Sequence, residues 1–225
     1  MLTKERIIEL LGLEPLAVEG GMYRKTYRSE EVLSNSEGRT GDHRLGGAIL
    51  YLLTPDTFSR MHRLPTDEIW HFYMGAACET TVLLPDGTGY TIRLGHDLEN
   101  GEVVQAVAPR GDWQGTRLVG DGEWALLGTT LAPDFEPSDY EDGDREALMA
   151  AYPEFAGALE VLTGRCVLRI APVPCGKAGR CQHRKRGSGI RNAPFPAGRR
   201  GAVVTGRASR GFVNVSAPCA EAKRR

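Results

Sequence analysis

No run of eighteen apolar residues occurs anywhere in the 225-residue chain, so no segment is expected to span a membrane as a helix. The opening MLTKERIIELLGLEP interleaves charges with its apolar residues. It lacks the unbroken apolar stretch and small-residue cleavage site of a secretion signal, and a cytoplasmic protein is the default expectation. Acid is what the last part of the chain lacks. From Gly164 to Arg225 there are 15 Lys/Arg against a single acid, Glu221, a net of +14. From Met1 to Thr163 the balance is 13 Lys/Arg against 28 Asp/Glu, a net of −15. The overall charge of −1 therefore conceals two segments of opposite character.

The last 62 residues carry four of the five cysteines but no sustained helix or strand period. Cys175-x5-Cys181-x-His183 fits no common structural zinc spacing. The cluster His183-Arg184-Lys185-Arg186 would attract phosphate, yet no nucleic-acid fold or aromatic platform surrounds it, so no nucleic-acid partner is expected. Arg, Gly, Ala and Pro dominate, as they do when GC-rich DNA is read in an unintended frame. We expect a body of residues 1–163 and a basic tail, 164–225, that is unpacked or is a frameshift or read-through extension.

The body holds 28 of the 29 acids and an ordinary proportion of apolar residues, 41% for the whole chain, enough for a buried core. Thr3–Leu11 reads as a short amphipathic helix capped by Thr3, with Ile7, Leu10 and Leu11 on one face and Gly12 as its stop. Short strand candidates follow: Met22–Arg28, Ala48–Leu53, Ile69–Met74, Thr80–Leu84, Tyr90–Leu94, Val103–Val107, Trp113–Leu118 and Trp124–Thr130. Turn signals such as Pro85-Asp86-Gly87 and Gly120-Asp121-Gly122 separate them. Many short strands at this spacing predict an all-β sandwich or barrel. Helices at Arg145–Tyr152 and Pro153–Leu162 close the body, with Pro153 in a permitted first-turn position.

The stretch FSRMHRLPTDEIWHFYMG, Phe58–Gly75, concentrates polar chemistry. Alternation along a strand puts Glu68, Trp70 and Phe72 on one face and Ile69, His71 and Tyr73 on the other. His62 meets Glu68 only if Arg63–Asp67 loops back, as Pro65 favours. His71 then points away from both and is expected to serve packing or a dimer interface. His43 and His96, beside Gly and Asp in turns, are assigned no role. Cys78 is expected to be a buried, unactivated thiol.

His62-x-Leu64-x3-Glu68-x6-Gly75 resembles the first motif of the cupins, G-x5-H-x-H-x3-4-E-x6-G. Pro109-Arg110-Gly111-Asp112-Trp113-Gln114 resembles the core of their second motif, P-x-G-x2-H. Glu19-Gly20-Gly21-Met22-Tyr23-Arg24, Asp67-Glu68-Ile69-Trp70-His71-Phe72-Tyr73 and Ala132-Pro133-Asp134-Phe135 narrow the likeness to a group of small cupins long catalogued as a domain of unknown function. The resemblance covers residues 3–162. It implies an all-β fold, a double-stranded β-helix (jelly roll) holding a small-molecule cavity, and a homodimer.

Metal-binding cupins use two histidines and a glutamate from the first motif and a histidine from the second. Carried over by position, His62 and Glu68 remain, whereas Leu64 and Gln114 stand at the other two ligand positions. Leu offers no ligand and Gln a poor one, so no cofactor is expected; a divalent transition metal on His62 and Glu68 is the alternative. The residues themselves read as a polar cluster in an apolar cavity, with His62 and Glu68 as catalytic candidates for proton transfer. Candidate ligand-binding residues are Gln114, Arg24, Tyr27, Arg60, Trp70 and Trp113. The arginines would fork onto an anionic group, whereas Trp70 and Trp113 are core residues at least as readily as stacking platforms. Three functions remain open: a metal-independent isomerase or epimerase of a polar, sugar-like metabolite, a non-catalytic small-ligand binder, and a metal-dependent oxygenase.

Overall fold

A computed structural model of the chain describes residues 2–34 and 41–164. The chain divides into two units, Met1–Pro174 and Cys175–Arg225. The second, and with it nearly all of the basic tail, lies outside the described residues.

Helix α1 (Lys4–Leu11) starts where Thr3 accepts a hydrogen bond from the Arg6 amide (3.3 Å) and stops at Gly12 in the left-handed conformation. Ile7 is buried and Ile8 and Leu11 pack beside it, while Leu10, at the rim of that arc, is exposed. The strands then run β1 (Glu14–Pro15), β2 (Met22–Arg28), β3 (Val32–Leu33), β4 (His43–Arg44), β5 (Gly47–Leu53), β6 (Ser59–Arg63), β7 (Glu68–Gly75), β8 (Cys78–Leu83), β9 (Gly89–Leu94), β10 (Gln105–Ala108), β11 (Trp113–Leu118), β12 (Ala125–Leu131) and β13 (Glu141–Asp142). Helices α2 (Arg145–Ala151) and α3 (Ala156–Leu162) follow. No helix among the described residues is long and apolar enough to cross a membrane.

Six strands form one sheet in the order β1-β2-β5-β12-β7-β10, and five form a second in the order β13-β6-β11-β8-β9. All the pairings within these sheets are antiparallel. The fold is an all-β jelly roll. Tyr51, Leu53, Trp70, Phe72 and Leu127 of the first sheet meet Cys78 and Leu94 of the second in the central core. Helices α2 and α3 cover the second sheet through Leu148, Leu159 and Leu162 against Met61 and Leu83. Helix α1 seals the first sheet near Met22, Leu52 and Leu126.

The strand β6 carries His62, yet its sequence, Ser-Arg-Met-His-Arg, gives no apolar alternation and it is absent from the sequence-based strands. The Leu64–Asp67 connection then carries the chain from the second sheet to the first, so β6 and β7 face each other across the barrel. Burial alternates along β7 as Glu68, Trp70 and Phe72 in, Ile69 and His71 partly out. Gly75 ends the strand with φ +103°, hard against Trp124, where any side chain would collide.

A candidate proton-transfer site at a cavity wall

A cavity of about 400 Å³ opens beside the first sheet. Its apolar walls include Leu16, Ile49, Leu64 and Leu131. Its polar groups fall into two sets. Glu19 interacts electrostatically with Glu68 and with Tyr140, and Lys25, Arg28, Asp134 and Glu136 are joined by ion pairs.

Glu68, the first residue of β7, is 4% exposed and fixed from behind. The Gln114 side-chain amide donates to its Oε2 (2.9 Å), and the Trp70 indole N–H donates to the Gln114 oxygen (3.0 Å). An indole can only donate, so it sets which end of the Gln114 amide faces Glu68. The carboxyl group thus meets a fixed N–H in a dry environment, and its orientation is set by the barrel core. His62 Nε2 lies 3.8 Å from the same oxygen, within ion-pair range but too long for a direct hydrogen bond. Nε2 has no hydrogen-bond partner among the described residues.

The other ring nitrogen of His62 faces the Arg60 carbonyl at 2.7 Å and must donate to it, which leaves Nε2 as the nitrogen that titrates. Burial alone would lower the pKa of this 1%-exposed ring, but the Glu19 and Glu68 carboxyls outweigh it and hold the imidazole up to about 9. Glu19 shifts upward too, chiefly because its carboxyl is buried and also because Glu68 is near; His62 and the hydroxyls of Ser59 and Tyr51 pull the other way. Tyr140 stacks on the His62 ring, with centroids 5.1 Å apart. Its phenol is pushed well above its ordinary pKa by burial first, then by Glu19 and Asp142, and its hydroxyl donates to Asp142 (3.3 Å).

His62, Glu68 and Gln114 therefore come together as one buried cluster. Of the sequence candidates Glu68 lines the cavity, with His62 and Gln114 buried behind it, and the others do not line it. Arg24 and Tyr27 lie on the outer part of β2, exposed, with Arg24 reaching towards Gly12. Arg60 pairs with Asp142 (2.7 Å). Trp70 is fully buried core that also bonds Gln114. Trp113 packs at the helix-covered core beneath the Arg63 guanidinium, 4.6 Å from its ring centre. His71 bonds Thr130 (3.0 Å) on the far face of the sheet. Cys78 is buried, and burial pushes its thiol up to about 12.

Sequence reasoning gave no role to Glu19 or Tyr140. Both reach the site from loops, where no periodicity reports direction. Glu19 does stand in the Glu19-Gly20-Gly21 run of the family likeness, and that was the available signal.

The side chains present do not fit the four-ligand metal centre of metal-binding cupins. Leu64 turns hydrocarbon to the cavity, and the Gln114 oxygen is already committed to Trp70. Among the described residues no group of three or more His, Cys, Asp or Glu is placed to share an ion.

The profile of the family described as the cupin superfamily, DUF985, matches residues 5–142. The chain is 30% identical over 158 residues to an uncharacterised protein of Saccharomyces cerevisiae, spanning 64% of this chain and 78% of that one. A crystal structure of a Shewanella oneidensis protein is 35% identical, with a TM-score of 0.66 over 73% of this chain and 99% of its own. A hypothetical protein from Leishmania major is 28% identical, with a TM-score of 0.66 over 72% of this chain and 99% of its own.

Proposed function

This chain belongs to the DUF985 family of the cupin superfamily, and from that premise we propose that it is a metal-independent isomerase or epimerase of a small, polar, sugar-like metabolite. One observation carries the reading: Glu68 lines the cavity, and the buried His62 ring stands 3.8 Å behind its carboxyl. Glu68 takes a proton from a carbon beside a carbonyl and returns it to the neighbouring carbon, or to the opposite face once the planar enolate has turned over in the cavity. His62 stays behind it as a fixed positive charge. Gln114 keeps the carboxylate aimed, and Tyr140, neutral across the working pH range, offers its hydroxyl to the substrate oxygen in exchange for Asp142.

The test works without a named substrate. The full chain is incubated in heavy water with a panel of aldoses, ketoses and sugar phosphates, and deuterium entering carbon is read by mass spectrometry. Exchange into one class is expected, falling about 10²- to 10⁴-fold in Glu68→Gln with the fold retained. Exchange as fast in Glu68→Gln as in the parent would overturn the assignment. A non-catalytic binder is the second reading, favoured because His62 itself does not reach the cavity surface. Saturable binding of a panel member without any deuterium uptake would select it.

A further inference from the structure

The stretch from Asp134 to Asp142, DFEPSDYED, holds five acids in nine residues, and every one is paired with a basic side chain from a distant part of the chain. Asp134, 2% exposed, takes Lys25 (3.0 Å) and Arg28 (3.1 Å) from β2. Glu136 takes Arg28. Asp139 takes His43 of β4 through both carboxylate oxygens (3.0 and 3.1 Å). Glu141 takes Arg63 through two 2.7 Å bonds, and Asp142 takes Arg60 (2.7 Å), both from β6.

The backbone contacts of the same stretch are confined to its ends. The Asp134 amide donates to the Arg44 carbonyl (2.9 Å). Glu141 and Asp142 form β13 against β6, and the Gly143 amide donates to Met61 (2.8 Å). Between them, the backbone hydrogen bond found among the described residues for residues 135–140 is internal, Asp139 to Glu136 (2.9 Å). These six residues also supply Phe135, Glu136, Pro137 and Tyr140 to the cavity wall.

From this arrangement we infer that residues 135–140 form a flap over the cavity, hinged at the two backbone-anchored ends and latched shut by side chains. The principal latch is His43–Asp139, because both partners are buried, at 1% and 7% side-chain exposure. Breaking one partner of a buried pair strands the other polar group and is far more disruptive than losing an exposed pair. Arg28–Glu136 is the secondary latch, at 45% and 29% exposure, and is weak and salt-screened. His43 thus acquires a role as a positioning residue that its place in the sequence, a turn beside glycine, did not suggest. The flap decides when a molecule enters or leaves the cavity, and it rests on the functional reading above only in naming that cavity as the ligand's place.

Leu64 lines the cavity and gives the test a foothold. In full-length Leu64→Cys, iodoacetamide labelling of residue 64 is followed by peptide mass mapping, which reads the natural cysteines separately. Adding Asp139→Asn is expected to speed labelling about tenfold or more, the change that corresponds to about 1.4 kcal/mol of latch. Arg28→Gln, or ionic strength raised to about 1 M, should give a smaller acceleration. Hydrogen exchange on the parent chain supplies the control. The amides of residues 135, 136 and 138–140 are expected to exchange faster in high salt while those of β6 and β11 keep their protection.

Unchanged labelling in Asp139→Asn would overturn the flap, as would loss of protection in the barrel strands together with it. Neither readout involves turnover. A failed flap with Glu68-dependent deuterium exchange, and an intact flap without such exchange, are therefore distinct results.

Discussion

Replacing His62 with glutamine isolates the electrostatics of the buried cluster. The ring pKa rises from 6.5 to about 9 on folding, so the native state holds a proton that the unfolded chain releases in that interval. A raised native pKa contributes stability that is fully present below 6.5, declines through the interval and is gone above about 9. At about 1.36 kcal/mol for each pH unit of that gap, the contribution is about 3 kcal/mol. No discount for solvent screening applies, because the ring is 1% exposed. Urea unfolding of the parent and of His62→Gln, repeated from about pH 6 to about pH 10, gives the difference directly. Cys78, with its thiol pushed up to about 12, loses stability with the same sign at high pH, but it is common to both proteins and cancels. The parent's stability relative to the variant should fall by up to about 3 kcal/mol across the series, the fall being reduced by Glu19, whose carboxyl is pulled down by His62 in the parent alone. A difference that is flat with pH, or that grows as pH rises, would refute the charged-histidine reasoning and with it the role given to Glu19 and Glu68 as its counter-charges.

Two other variants probe the geometry. Leu64→His with Gln114→His restores the two ligand positions in which this chain departs from metal-binding cupins, and calorimetric titration should show uptake of a divalent transition metal that the parent does not match; no gain would mean that position 64 or 114 does not face His62 and Glu68 as inferred. The same double variant leaves the Trp70 N–H without its partner, at a cost of about 1–3 kcal/mol. Gly47→Ala places a methyl group on the Asp134 carboxylate, the hub for Lys25 and Arg28. We expect a loss of about 1–3 kcal/mol in thermal or urea unfolding, and a neutral result would show that Asp134 moves freely.

Short runs of strand-forming residues between turn signals carried most of the architecture. Met22–Arg28 and Trp113–Leu118 stand where the sequence put them, and β5, β7 and β12 differ by a residue at their ends. The alternation of Glu68, Trp70 and Phe72 gave the inward face of β7, and the spacing to His62 and Gln114 followed from the motif likeness. What was not legible arose wherever direction depends on tertiary partners. Strand β6 is a strand because β11 and β13 flank it, while its own residues are mostly polar. Arg24, Tyr27 and Arg60 had the chemistry to hold an anion. The sheet leaves Arg24 and Tyr27 exposed, and Arg60 is taken up by Asp142. Glu19, Tyr140 and His43 sit in or beside turns, where no period betrays a facing. Their long-range partners reveal them, with the motif likeness as a further signal for Glu19 alone.

The acid-rich stretch also has a consequence for the order in which the molecule assembles. Its pairs join residues 109, 108, 96, 82 and 78 positions apart, for Lys25–Asp134, Arg28–Glu136, His43–Asp139, Arg60–Asp142 and Arg63–Glu141. Contacts so distant along the chain cannot form until the intervening loops have been closed by other means. Five clustered acids also repel one another until β2, β4 and β6 present their basic side chains. The stretch is therefore expected to dock late, onto β2, β4 and β6 already in place, so that the cavity gains its last wall near the end of folding. A chain caught before that moment holds a finished barrel with an open side.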